Sequence, residues 1–141
     1  MQEFNFRNLS FTEEKDELVV KFLKLFYFKL KKQDLESISS YKLQKNSITF
    51  TEDRKNIEKK FNNLLSEGFK NLRNKLTNKP AVYIHQNSGM PLVGHIAFGL
   101  IDRGTNIIEI RHITSCNLSC IYCSVDDSKR PVDFVVEKDY I

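Results

Sequence analysis

The chain has 141 residues, 40% hydrophobic and 28% charged, and 22 Lys and Arg against 18 Asp and Glu leave a net charge of +4. These are ordinary values for a soluble protein able to bury a core. No apolar run approaches the roughly twenty residues needed to span a bilayer, and the start Met-Gln-Glu-Phe-Asn-Phe lacks the basic region and apolar stretch of a signal peptide, so a cytoplasmic protein without membrane contact is expected.

Ser10 followed by Glu13 fits a capping box. Acidic residues from Glu13 to Glu17 and lysines at 29, 31 and 32 match the sign of a helix dipole at both ends. The stretch Phe11 to Lys32 is therefore expected to be helical, although Val19 to Leu30 is rich in β-branched and aromatic residues and also suits a strand. Tyr41 to Phe50 reads as a short hairpin turning at Lys45-Asn46. From there, Ile57, Phe61, Leu64, Leu65, Phe69, Leu72 and Leu76 recur at helical spacing, which predicts an amphipathic helix over Glu52 to Leu76. Gly68 inside it costs about 1 kcal/mol relative to alanine without breaking it.

Near Asn78 to Pro80 the composition changes. Residues 1–79 carry 17 basic and 11 acidic side chains, whereas residues 80–141 carry 5 and 7, and four of the five glycines lie beyond Pro80. Two regions follow: a basic α+β region over 1–79 and a β-rich region over 80–141. Lys59, Lys60, Lys70, Arg73, Lys75 and Lys79 raise the question of nucleic acid. Acidic residues are interspersed and no nucleic-acid motif is visible, so a solvated helix face is the expectation and a nucleic-acid partner is not.

In the second region Ala81 to His85, Leu92 to Ile101 and Ile107 to Thr114 are apolar runs separated by Asn87-Ser88-Gly89 and by Asp102-Arg103-Gly104-Thr105-Asn106. Three strands are predicted, the last two as a hairpin or bent pair. Gly94 and Gly99 mark either a close approach that leaves room for a ligand or relief of crowding between strands; the second is preferred. His85 and His95 are expected to be satisfied structural histidines. Val132 to Ile141 reads as the beginning of a helix.

All three cysteines fall in one run, Cys116-Asn-Leu-Ser-Cys120-Ile-Tyr-Cys123. An odd number at this spacing argues against a disulfide framework and suits a reducing compartment. Thiolates on a short loop suit an iron–sulfur cluster, in which three ligands leave one iron of a cubane open. A zinc site would need a fourth ligand, for which His112 is the nearby histidine, or a water. Unligated thiols are the third possibility.

This Cys-x3-Cys-x-aromatic-Cys run after an apolar strand resembles the cluster motif of the radical S-adenosylmethionine superfamily. The stretch from Lys79 to Val125, with Lys-Pro-Ala-Val-Tyr-Ile-His, Gly-His-Ile-Ala-Phe-Gly-Leu-Ile-Asp-Arg-Gly-Thr-Asn and Cys-Ser-Val-Asp, is similar to archaeal members of undefined substrate. The resemblance implies that Cys116, Cys120 and Cys123 ligate a 4Fe-4S cluster whose open iron chelates S-adenosylmethionine. An electron from a ferredoxin- or flavodoxin-type donor would then give methionine and a 5′-deoxyadenosyl radical. Tyr122 would lie against the nucleoside; alternatively it is a packed core aromatic.

The resemblance also implies a partial (β/α) barrel of roughly two hundred residues, about thirty or more per βαβ unit. Only 18 residues follow Cys123. The expected fold is thus α/β: an α+β N-terminal region and the start of a truncated barrel, inactive alone and completed by a missing barrel portion or a partner chain. A non-catalytic zinc or electron-transfer iron–sulfur module is the alternative. Asp126 and Asp127 suit solvent-facing turn positions, and Lys129 and Arg130 would offset cluster charge. Neither a phosphate-binding Gly-rich loop, a zinc-protease His pair nor a hydrolase nucleophile elbow occurs.

Overall fold

The structure, a computed structural model, describes residues 1–52, 56–116, 118, 120–122 and 130–141. The chain divides into two compact units, Met1–Asn78 and Lys79–Ile141. It is a mixed α/β protein.

The first unit holds strands β1 (Gln2–Asn5), β2 (Leu9–Glu13), β3 (Glu17–Phe22) and β4 (Phe26–Lys31), then helix α1 (Lys32–Glu36), β5 (Tyr41–Leu43), β6 (Ser47–Phe50), helix α2 (Ile57–Lys70) and β7 (Arg73–Asn74). Two antiparallel sheets result, in the orders β1-β6-β5 and β2-β3-β4-β7. Helix α2 packs on both. Phe61 near its start meets Phe4 and Phe50, and Phe69 near its end meets Phe22 and Phe28, with ring centroids 5.0–5.3 Å apart, close enough for favourable aromatic pairing. Gly68 lets the helix approach the second sheet: a Cβ there would fall 2.5 Å from Phe28 Cδ2 and 2.9 Å from Leu30 Cδ2.

The expected helix over Phe11 to Lys32 is not formed; the segment is the meander β2-β3-β4. Leu18, Val20, Phe22, Phe26, Phe28 and Leu30 are all buried at a spacing of two, so strand periodicity wins. Leu23 and Lys24 make the tight turn with φ of +49° and +63°. The charges that resembled helix ends are cross-strand pairs instead, Lys29 with Glu17 at 2.7 Å and Glu14 at 3.4 Å, and Lys32 with Glu13 at 3.7 Å. Ser10 is no cap; it pairs with Lys21 across the sheet. The predicted hairpin over Tyr41 to Phe50 is β5-β6. The predicted helix over Glu52 to Leu76 is present as the shorter α2, since the chain turns at Asn71 into β7; its expected first residue, Glu52, is not helical, and 53–55 lie outside the described residues.

The second unit holds β8 (Ala81–Ile84), β9 (Gly99–Asp102), β10 (Ile108–Arg111) and β11 (Asp133–Val136). β9 and β10 form the predicted antiparallel hairpin, turned by the Asp102 carboxylate, which accepts from the Gly104 N–H at 2.8 Å. β8 and β11 pair in parallel. Leu92 to Ile101 is extended only at its end. The close approach at Gly99 (φ +81°) is to the backbone of Leu92, the crowding between chain segments that only glycine accommodates.

Val132 to Ile141 is not the start of a helix. Its apolar Phe134-Val135-Val136 run forms β11, followed by a single 3-10 turn at Lys138–Tyr140, because Val136 buries in a core with Ile84 and Phe98, against which Phe134 packs, and Val135 is buried as well. No barrel is formed by the described residues. The segment that enters the cysteine run meets β11 antiparallel, through an Ile113–Val135 bridge, where a βαβ unit would make that pairing parallel. Among the described residues, no helix is long and apolar enough to cross a membrane.

Candidate functional site

The cysteine run hangs from a clamped strand end. The His112 carbonyl accepts from the Val136 N–H at 2.7 Å, and the Thr114 N–H donates to the Phe134 carbonyl at 3.0 Å. The Thr114 hydroxyl oxygen in turn accepts from the Phe134 N–H at 2.9 Å. Thr114 is 2% exposed, so residue 114 is held to β11 through both its backbone and its side chain. Two residues later the thiol of Cys116 is solvent-exposed. The backbone thus changes from ladder to loop between Thr114 and Cys116.

Cys116 and Cys120 are both free thiols, the first exposed and the second half-buried. The Leu118 N–H donates to Cys116 Sγ at 3.4 Å. Cys123 lies outside the described residues, as do Asp126, Asp127 and Lys129. Among the described residues no three His, Cys, Asp or Glu side chains converge on one point; the His112 side chain is exposed and is not gathered with the two placed thiols into such a group. Tyr122 is 87% exposed and is not a packed core aromatic, while its neighbour Ile121 is fully exposed. What the structure presents is a loop with two accessible soft donors and an exposed apolar and aromatic rim. Unbridged thiols on such a loop fit the donor set of a thiolate-ligated cluster.

Other polar groups of the second unit make contacts of their own. His85 stacks on Tyr83, and its Nδ1 accepts from the Asn87 N–H at 3.3 Å. His95 stacks on Phe98 with ring centroids 4.6 Å apart. The Tyr83 hydroxyl donates to Glu137 at 3.0 Å, and burial together with that carboxylate drives its pKa well above the usual phenol range. On the β9-β10 hairpin, Glu109 accepts from Arg103 at 2.9 and 3.1 Å and from Arg111 at 2.7 Å. The Arg103 hydrogen bonds, followed by the Arg111 charge, hold its carboxyl below the ordinary range. Sequence reasoning missed Thr114 as the anchor of the loop. The only signal was a hydroxyl residue two positions before the first cysteine.

No family model matches the chain, and no solved structure matches it. Among curated proteins, the uncharacterized protein MJ0103 of Methanocaldococcus jannaschii is 47% identical over 75 residues. That stretch covers 50% of this chain and 17% of the archaeal protein, so half of the chain is similar to a small part of a much longer polypeptide of undefined activity.

Proposed function

We propose that the chain is a radical S-adenosylmethionine iron–sulfur protein in which Cys116, Cys120 and Cys123 ligate a 4Fe-4S cluster. The observation that carries this reading is the placement of all three cysteines in one Cys-x3-Cys-x-aromatic-Cys run, leading from the strand end anchored by Thr114. Support comes from the two described thiols, which are unbridged and accessible. When bound, the cluster supplies the electron that cleaves the sulfonium carbon–sulfur bond of S-adenosylmethionine to give a 5′-deoxyadenosyl radical.

The chain's own residues bind and position. The Leu118 N–H contributes a dipole toward Cys116 sulfur, the kind of hydrogen bond that tunes cluster potential. Tyr122 offers an exposed ring to the nucleoside. Thr114 holds the base of the loop to β11. Later strands of a (β/α) barrel, supplied by a longer polypeptide or a partner chain, would complete the cofactor and substrate sites, with a ferredoxin- or flavodoxin-type donor in the cytoplasm.

Anaerobic reconstitution with iron and sulfide tests the reading. About four irons per chain, with an electron paramagnetic resonance spectrum that shifts when S-adenosylmethionine is added, is the expected result. A cluster whose spectrum ignores S-adenosylmethionine would leave an electron-transfer module. Zinc retained in place of iron would overturn the family reading.

A further inference from the structure

Folding Phe11 to Lys32 as strands builds a surface that a helix would have dispersed. Ser10, Lys21, Tyr27 and Arg73 are register partners on β2, β3, β4 and β7, so they stand in one row across a single face of the sheet. The opposite face, with Val20, Phe22, Phe26 and Phe28, is the buried one. An aromatic ring is therefore flanked on its two neighbouring strands by a lysine and an arginine. Next to the row, Tyr27, Lys29, Asn71, Arg73 and Asn78 line an open depression of about 430 Å³.

Asn78 fixes the geometry of that depression. Its side-chain oxygen accepts from the Tyr27 hydroxyl at 3.0 Å, its carbonyl accepts from Arg73 Nη1 at 2.8 Å, and its N–H donates to the Asn74 carbonyl at 2.8 Å. It adopts a φ of +55°, in the left-handed region that asparagine tolerates better than most residues. Tyr27 and Arg73 are thus held before any ligand arrives.

Charge settles the sign of the partner. Leu18 to Gln33 contains five lysines and no carboxylate, and Gly68 to Asn78 contains two lysines, one arginine and no carboxylate, while Lys32 and Lys70 pair with Glu13 and Glu67 just outside these segments. The β4-β7 pairing brings these two segments side by side. Lys24, in the β3-β4 turn, and Lys75, whose N–H donates to the Leu25 carbonyl at 2.8 Å, are exposed at the same end. The carboxylates of Glu14 and Glu17 gather around Lys29, which also lines the depression, so the cations the face offers are those of the Lys21–Tyr27–Arg73 end.

We infer that this sheet face binds single-stranded nucleic acid, with phosphates on Lys21 and Arg73 and a base against Tyr27. A sheet face with a ring set between cations suits a flexible strand whose bases are free to stack, whereas a duplex hides its base faces. The inference is independent of the cluster reading, since it uses only residues of the first unit. The sequence alone spread Arg73 and Lys75 with other basic residues along a predicted helix face; the sheet register sets Lys21 in one row with Arg73.

The test is fluorescence anisotropy of the full chain with a labelled mixed-sequence RNA of about 12 nucleotides, within the usual site size. Binding is expected at about 50 mM salt and should weaken as salt rises; Lys21→Ala with Arg73→Ala should flatten the log–log salt slope by about 1.4, or 0.7 per phosphate contact on a single strand. Tyr27→Ala should weaken binding about five- to 150-fold, the range for loss of one stacked base. Tyr27→Phe, which keeps the ring but loses the Asn78 hydrogen bond, should weaken binding less than Tyr27→Ala, and Arg73→Lys, which keeps the charge, should leave the salt slope as in the parent. Absence of binding at low salt overturns the inference, as does a salt slope that the double variant leaves unchanged. So does an equal loss on replacing Lys59 and Lys60 of α2 by alanine, or competition by polyglutamate or by a duplex as effective as that by the single strand.

Discussion

Replacing Thr114 by valine tests whether the base of the cysteine loop is held by a side chain or by the ladder alone. The change swaps a hydroxyl for a methyl of similar size, so packing around this 2%-exposed side chain is preserved, while the 2.9 Å acceptor of the Phe134 N–H is lost. A donor left unsatisfied in the interior costs about 1–3 kcal/mol. Phe134 is only half-buried, and water relieves part of that penalty, so the lower part of the range, about 1–2 kcal/mol, is expected. Hydrogen exchange followed residue by residue should show the Phe134 amide exchanging roughly tenfold faster, one decade per about 1.4 kcal/mol. The Thr114 amide, whose bond to the Phe134 carbonyl survives, should change less. Thr114→Ser keeps the acceptor and should restore slow exchange. Equal acceleration in the serine and valine variants, or none in either, would refute the assignment of the clamp to the hydroxyl.

Gly68→Ala should destabilise the protein by about 1–3 kcal/mol through overpacking against Phe28 and Leu30, reversing the gain of about 1 kcal/mol that helix propensity alone predicts; the urea midpoint reads the sign directly. Glu109 has a depressed folded pKa, so its contribution is present above the ordinary carboxylate range and is lost as pH falls through the folded value. Urea titrations of the parent and of Glu109→Gln should therefore differ at neutral pH and converge in acid. Cys116→Ser and Cys120→Ser should each lose most of the iron taken up on reconstitution, measured by iron counting after desalting, whereas His112→Ala should retain it; loss in the histidine variant would favour a mixed-ligand site.

The turn chemistry of this chain was legible, and its strand pairing only partly so. Lys45-Asn46 and Asp102-Arg103-Gly104 announced the β5-β6 and β9-β10 hairpins, because a tight turn depends on residues within a few positions of one another, whereas the Leu23-Lys24 turn of β3-β4 carries no glycine, asparagine or proline to mark it. The apolar spacing from Ile57 to Phe69 likewise marked α2, since the residues that make a helical face are local. Phe11 to Lys32 misled because charge order is degenerate. Glu13, Glu14 and Glu17 followed by Lys29 and Lys32 satisfy a helix dipole in one fold and cross-strand ion pairs in the other. The alternation of Leu18, Val20 and Phe22 was the better signal. Val132 to Ile141 failed for a different reason, as β11 is specified by its pairing with β8 and by a core that no local pattern reveals. The cysteine run was legible in the sequence only as three closely spaced thiols. The Tyr27–Arg73–Asn78 cluster was not, since only the register of β4 and β7 brings it together.

The parallel pairing of β8 with β11 has a consequence for biosynthesis. It joins Ala81 to Asp133, and such non-local pairings form late because the intervening chain must first be closed into a loop. All three cysteines lie within that loop. On the ribosome they are made before Phe134 and Val136, the residues that clamp His112 and Thr114. During translation the thiols therefore emerge on an open segment, reachable by iron or by other thiols, and the sheet that fixes the base of their loop closes only afterwards.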